Sequence, residues 1–107
     1  MTTANFSAAP VSDITDLLAK ILPSLDSLSD IPRDEIDNVK DDLESVEEQL
    51  ASSAPKKNRL KKAVGGIKKF FADFSMKVAV SMAAGAVTSA DWSMLIQKLE
   101  EYIGVIG

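Results

Sequence analysis

The side chains best able to do chemistry in this chain are carboxylates and lysines, because its 107 residues include neither histidine nor cysteine. Histidine is the commonest general base and nitrogen ligand, and cysteine supplies thiolate nucleophiles and metal ligands. Their absence from the sequence excludes Ser-His-Asp and Cys-His catalysis, disulfides and the usual zinc sites. We therefore predict no cofactor and no metal.

The carboxylate pairs Asp41–Asp42 and Glu44–Glu48 are the remaining candidates for acid–base catalysis. They fall on a predicted helix whose apolar side is fully used for packing, so we expect them to be solvated and ionised. Catalytic carboxylates need a pocket that separates their pKa values. The acidic run also lacks the spacing of a calcium loop, and Gly65–Gly66 lacks that of a phosphate loop. These patterns predict a protein that is not an enzyme and has no small-molecule substrate.

A basic segment follows the acidic one. Residues 33–50 hold eight acidic and two basic side chains, and residues 56–77 hold eight basic and one acidic, within a chain of net charge −4. The acidic neighbour and the negative total disfavour nucleic acid as the partner, although clustered lysines can neutralise phosphates. We instead predict a charged surface for intermolecular contact, formed by Lys56, Lys57, Arg59, Lys61, Lys62, Lys68 and Lys69.

The same basic segment carries an apolar stripe with the three- and four-residue steps of an amphipathic helix. One interpretation is that neighbouring helices cover this face as part of a core. The other is that the helix lies on an anionic membrane with its aromatic rings in the acyl boundary, after the acidic helix has released it. The face consists of Leu60, Val64, Ile67, Phe70, Phe71, Phe74 and Val78.

Four helices are predicted around these groups. A flexible tail over residues 1–11 precedes a single helical domain over residues 12–107, whose first helix has Ser12 as its N-cap. Pro23 should kink or divide that helix. The third helix should run over residues 56–88, with a bend at Gly65–Gly66 or an end near Gly85, and Thr88 or Ser89 should cap the last helix.

The fold class that follows is all-α, a small bundle of about four helices. In this bundle the acidic second helix lies antiparallel to the long basic third helix, joined by a short Ser/Pro connection. Exposed ion pairs contribute only about 0–1 kcal/mol each, so the apolar faces should supply most of the stability. The opposite charges then select the partner helix and its direction.

Small residues at the end of the predicted third helix favour a close helix–helix contact. The contact is either within the chain, against the helix that contains Trp92, or between two chains, so we predict self-association or another protein partner. The predicted close-packing residues are Ala79, Ser81, Ala83 and Gly85.

The region from Ile31 to Gly107 combines an acidic heptad helix, a Ser/Pro/Lys linker, the helix LKKAVGGIKKFF and a small-residue continuation. It resembles the C-terminal parts of small uncharacterised bacterial proteins encoded near phage-defence and abortive-infection genes. The resemblance implies a bacterial origin and a role in intercellular or antiviral conflict.

These observations predict a non-enzymatic helical interaction or oligomerisation protein. The alternative is a protein that associates with or permeabilises membranes through the cationic amphipathic helix 56–88. No signal-peptide pattern is visible, and the longest uncharged run, thirteen residues between Lys77 and Asp91, is shorter than the ~20 needed to span a bilayer. We expect a cytoplasmic location, at the surface of the inner membrane under the alternative.

Overall fold

The computed structural model of this chain describes the backbone of residues 2–82 and 85–106, and the side chains of residues 11–79 and 86–106. Its helices and strands follow one another as α1 (Thr2–Ser24), a short 3₁₀ helix (Leu25–Ser27), α2 (Arg33–Ala51), α3 (Lys57–Phe74), β1 (Val80–Met82), β2 (Gly85–Val87) and α4 (Ser89–Ile106).

Helix α1 begins at Thr2 rather than at the predicted N-cap Ser12, so it includes nearly all of the segment predicted as a tail. Whether residues 1–11 are flexible stays a prediction. The helix ends one residue after Pro23, where the chain tightens into the 3₁₀ helix, because proline has no N–H to continue the helical ladder. The buried apolar positions of α1 and of the segment that directly follows it are Ile14, Leu17, Leu18, Ile21, Leu25 and Leu28.

Helix α2 follows Pro32, whose carbonyl accepts the first backbone hydrogen bonds of the helix, from Glu35 and Ile36. Its apolar face is buried at Ile36, Val39, Leu43 and Val46, while Leu50 is half-buried. Gln49 takes the buried position in the last turn, and its Oε1 accepts the backbone N–H of Lys56 at 2.7 Å. This bond closes the connection to α3.

Helix α3 ends at Phe74, which corrects the prediction of a helix over residues 56–88 and its end near Gly85. Ser75–Lys77 form a turn in which Lys77 N–H donates to the Phe74 carbonyl at 2.8 Å. The predicted bend at Gly65–Gly66 does not interrupt α3, which runs as one helix through both glycines.

The segment after α3 is a β-hairpin, in which β1 and β2 pair antiparallel with Val80 opposite Val87. The predicted close-packing residues Ala79, Ser81 and Gly85 are therefore not on a helix, and Ala83 lies outside the described residues. Valine favours strands, and two fully covered valines, Val78 and Val87, attach the hairpin to the core.

Helix α4 starts after Thr88, one of the two predicted caps. The Asp91 carboxylate accepts the Thr88 backbone N–H at 2.9 Å, and the Thr88 carbonyl accepts the N–H of Asp91 at 3.1 Å. Asp91 also pairs with Lys20 of α1 at 3.1 Å. The helix runs through Gly104 and continues to Ile106. The buried face is Trp92, Leu95, Leu99, Tyr102 and Ile103, with Ile96 half-buried.

The four helices pack into a small all-α bundle with the β-hairpin as an appendage. α2 lies mainly against α3, and α1 lies mainly against α4, while the contact between α3 and α4 joins the two pairs. One continuous apolar core runs through all four helices. The predicted all-α bundle of about four helices is thus confirmed, whereas the antiparallel direction of α2 and α3 stays a prediction. In this arrangement α3 lies between α2 and α4.

Candidate functional site

The predicted charged surface lies on α3 and on its N-cap, Lys56. Six of its seven cations are exposed, and Lys57 is half-buried. Helical spacing divides the cations on the helix into two rows, because residues three, four and seven apart share a face. The α4-side row is Lys57, Lys61 and Lys68, and the α2-side row is Arg59, Lys62 and Lys69.

Lys61 and Lys68 of the α4-side row line a groove of about 320 Å³ between α3 and α4, and Lys57 lies one turn before Lys61 on the same side of the helix. Lys68 Nζ donates to Glu100 Oε2 of α4 at 3.0 Å, and this is the one salt bridge that the described residues place in the groove. Two lysines against one carboxylate leave the groove with net positive charge. We call it the α3–α4 groove, and it is lined by Lys61, Val64, Gly65, Lys68, Glu100 and Ile103.

At Gly65 no side chain fills the α3–α4 groove. A side chain added at this position would meet nothing within 4 Å, so no packing requirement inside the chain explains the glycine. Glycine in a helix interior costs about 1 kcal/mol relative to alanine. The groove is therefore open at a position where a side chain would have favoured the helix.

Gly66, the next residue, lies against α2 and has no open space beside it. The carboxylate of Asp42 on α2 occupies the space where a Gly66 side chain would lie. Burial raises the pKa of Asp42, the Asp41 carboxylate raises it further, and the Lys62 ammonium opposes both effects. Gly66 thus permits α2 to approach the backbone of α3, at the cost of partly desolvating a carboxylate.

The α2-side row faces acidic and polar side chains across two grooves of about 460 and 120 Å³. Asp42 and Ser45 lie beside Arg59 and Lys62, and Glu35 lies beside Lys69. Among residues 11–79 and 86–106, however, no salt bridge joins α2 to α3. The contact between these helices is made by their apolar faces, with the charges near one another at its edge.

A row of five carboxylates on the outer face of α2 was not recognised in the sequence as a unit. All five are exposed and follow one another at alternating intervals of three and four residues, which places them on one line of the helix. The signal was present in the sequence, as a second three–four pattern offset from the apolar one. We call it the α2 acid row, and it consists of Asp34, Asp37, Asp41, Glu44 and Glu48.

The apolar face of α3 is covered by its neighbours. Phe70 is only 3% exposed, and its ring centroid lies 5.4 Å from that of Trp92. Phe71 stacks on Trp92 at 6.4 Å and Phe74 contacts Phe70 at 5.2 Å, both at the half-buried edge of the core. Leu60, Val64 and Ile67 are buried within α3, whereas Val78 is buried from the extended segment after it.

The part of the chain that the structure describes contains no group of three or more acidic side chains arranged to hold a metal ion. Within that part, no helix has both the length and the apolar character needed to cross a bilayer. Comparisons with protein-family models, with curated proteins and with solved structures gave no significant match.

Proposed function

We propose that this protein is a non-enzymatic helical interaction protein whose contact surface is the basic outer side of α3. The observation that carries the proposal is that α3 buries its apolar side chains and exposes its charged ones. Its apolar face is used inside the bundle, whereas its cations remain at the surface, and Lys68 alone among them forms a salt bridge within the described residues. Such a surface matches a partner that presents carboxylates.

A binding role rather than catalysis is supported by the surroundings of the acidic groups. Asp41, Glu44 and Glu48 are exposed, and the partly buried Asp42 lies against Gly66 and near Lys62 without a second carboxylate facing it across the interface. A catalytic pair requires two titratable groups that converge on a substrate. The α3–α4 groove is lined mainly by cations and apolar side chains, and in both grooves between α2 and α3 the carboxylates share the lining with cations of α3.

The partner test is capture from an extract of the source cell on immobilised protein. We expect acidic proteins to bind the wild-type chain and to be lost from a variant carrying Lys61→Glu and Lys68→Glu. Lys77→Glu is the matched control, because Lys77 is exposed but lies outside both rows. Equal capture by all three proteins contradicts the proposal.

Membrane association is the second candidate, and the cation rows beside the half-buried Phe71 and Phe74 are the observation in its favour. Because Phe70 and Trp92 pack on each other, insertion of this face requires α3 to separate from α4. Co-sedimentation with phosphatidylglycerol vesicles and dye leakage test this function. Binding and leakage at low salt support it, and the absence of both removes it.

We extend the proposal to a bacterial setting in defence or intercellular conflict, on the resemblance described above. A cytoplasmic location belongs to the same proposal. Deletion of the gene in its source cell, followed by phage challenge and by competition with neighbouring strains, tests this setting. Unchanged survival in both assays counts against it.

A further inference from the structure

The α3–α4 groove carries positive charge that the molecule does not balance. Lys68 is paired with Glu100, but Lys57 and Lys61 have no salt-bridge partner among the described residues. Val64 and Ile103 add an apolar floor, and Gly65 leaves room above it. An occupant of this groove must therefore bring carboxylates on a narrow, rod-like surface.

The chain itself contains such a surface in the α2 acid row. From Asp34 to Glu48 the row spans roughly 21 Å of helix, and the α4-side row from Lys57 to Lys68 spans roughly 17 Å, at about 1.5 Å per residue. The two rows thus match in length and have opposite charge. Within one molecule the described residues form no salt bridge between them.

Both features weaken the isolated molecule. Like charges three and four residues apart destabilise a helix, and the α2 acid row repeats that spacing, with Asp37 alone among its described carboxylates paired to a cation, Arg33 at 3.4 Å. A solvent-facing glycine in the middle of α3 also lowers helix stability. Packing within the chain explains neither feature, whereas a contact between two copies explains both.

We propose that the α2 acid row of one copy docks along the α3–α4 groove of a second copy. This inference rests on the proposed interaction function and names the partner. The carboxylates pair with Lys57, Lys61 and Lys68, and the missing side chain at Gly65 lets the partner helix approach the backbone of α3 closely. Because the two surfaces differ, the contact is either exchanged reciprocally in a two-fold dimer or repeated head to tail.

The first test is sedimentation equilibrium of the wild-type chain over a range of concentrations. At about 0.01 M salt, where the Debye length is about 30 Å, we expect an average mass above that of the monomer, and at about 1 M salt, with a Debye length of about 3 Å, we expect the monomer. A monomer at all concentrations in low salt overturns the inference. Loss of cellular partners by the Lys61→Glu, Lys68→Glu variant would still support the proposed function, so the two failures are distinguishable.

Charge-reversal variants test whether the α3–α4 groove and the α2 acid row form the contact between copies. The groove variant carries Lys61→Glu and Lys68→Glu, and the row variant carries Asp41→Lys, Glu44→Lys and Glu48→Lys, which leaves the row with a net positive charge. Each variant alone should be monomeric, because its two surfaces then have the same sign of charge. An equimolar mixture should associate, because the unchanged row of the groove variant meets the unchanged groove of the row variant. Circular dichroism verifies that each variant is folded. Association of either variant alone, or a mixture that remains monomeric while the wild type associates, overturns the assignment.

A larger side chain at Gly65 should weaken the association of two copies without lowering the stability of the fold. Gly65→Leu should leave the thermal midpoint unchanged or raise it, because the Cβ meets nothing within 4 Å and leucine favours a helix more than glycine does, and it should reduce association at least tenfold. Gly104→Leu is the matched control, since Gly104 is also a helical glycine with open space but does not line the groove. Undiminished association of the Gly65→Leu protein contradicts docking in the groove.

Discussion

Asp91 connects the start of α4 to α1 through one carboxylate. Burial alone would raise its pKa, but the hydrogen bond from the Thr88 N–H and the pairing with Lys20 together hold the pKa of Asp91 below its usual value. The folded protein therefore favours the ionised form more than the unfolded chain does. It follows that Asp91 stabilises the fold wherever the carboxylate is charged in both states.

We expect Asp91→Ala to lower the free energy of unfolding by about 1–2 kcal/mol at neutral pH, through the lost cap and the lost charged hydrogen bond. The stabilisation is complete above the ordinary aspartate pKa of 3.8 and is lost as the pH falls through the lowered pKa. Urea denaturation of both proteins at several pH values measures the difference, which should shrink in acid. Asp16→Ala, at an exposed position on α1, should change stability by less than about 0.5 kcal/mol.

The pKa of Asp42 is shifted in the direction opposite to that of Asp91. Burial raises it most, and the Asp41 carboxylate raises it further. The charge of Asp42 opposes folding at neutral pH, and this penalty is removed as the pH falls through the raised pKa toward 3.8. Asp42→Asn should therefore stabilise the protein at neutral pH by roughly 0.5 kcal/mol, the size of a surface substitution. In acid the advantage should disappear, as measured by urea denaturation.

The control for Asp42 is Glu47→Gln, which neutralises an exposed carboxylate on the same helix. It should give little change at any pH. A gain from Asp42→Asn that persists unchanged in acid would contradict the assignment of the penalty to the buried charge.

At the scale of elements, the two adjacent glycines of α3 should respond differently to alanine. Gly65→Ala should stabilise the protein by up to about 1 kcal/mol, because the added methyl meets open space. Gly66→Ala should stabilise it less or destabilise it, because the methyl displaces the Asp42 carboxylate. Thermal denaturation of the two variants measures the contrast.

A double-mutant cycle isolates the cause of this contrast. In an Asp42→Ala background the space beside Gly66 is free, so Gly66→Ala should there approach the gain of Gly65→Ala. A coupling energy near zero would mean that the Asp42 contact does not limit substitution at Gly66.

The sequence predicted much of each helix and little of how the helices end or meet. The apolar stripes of α1, α2 and α4 and the Thr88 cap follow from local spacing, which a sequence displays directly. The end of α3 was missed because Val78 stands four residues after Phe74 and continues the helical pattern, although it is buried from an extended segment. The contact of Asp42 with Gly66 depends on the register between two helices, which no local pattern encodes.

For the whole molecule, we expect salt to change the association of copies much more than the thermal stability of the fold. In the described residues, salt bridges join α1 to α4 and α3 to α4 but not α2 to α3, while the like charges of the α2 acid row repel one another. Screening at about 1 M salt weakens both the attraction and the repulsion, so it should change the thermal midpoint little, while it removes the proposed contact between copies. Thermal melts at low and high salt, at a concentration where the wild type is monomeric, test this prediction. A marked fall in the midpoint would show that attractive charge pairs hold the bundle.

The pairing of α1 with α4 also sets an order of events during synthesis. A ribosome adds about 5–20 residues per second, so α1 emerges several seconds before the helix that covers most of its apolar face. α2 and α3, in contrast, are close in the chain and can pair as soon as both are made. Nascent chains that stop before Ser89 should therefore expose the α1 leucines and isoleucines, which makes them targets for chaperones and proteases.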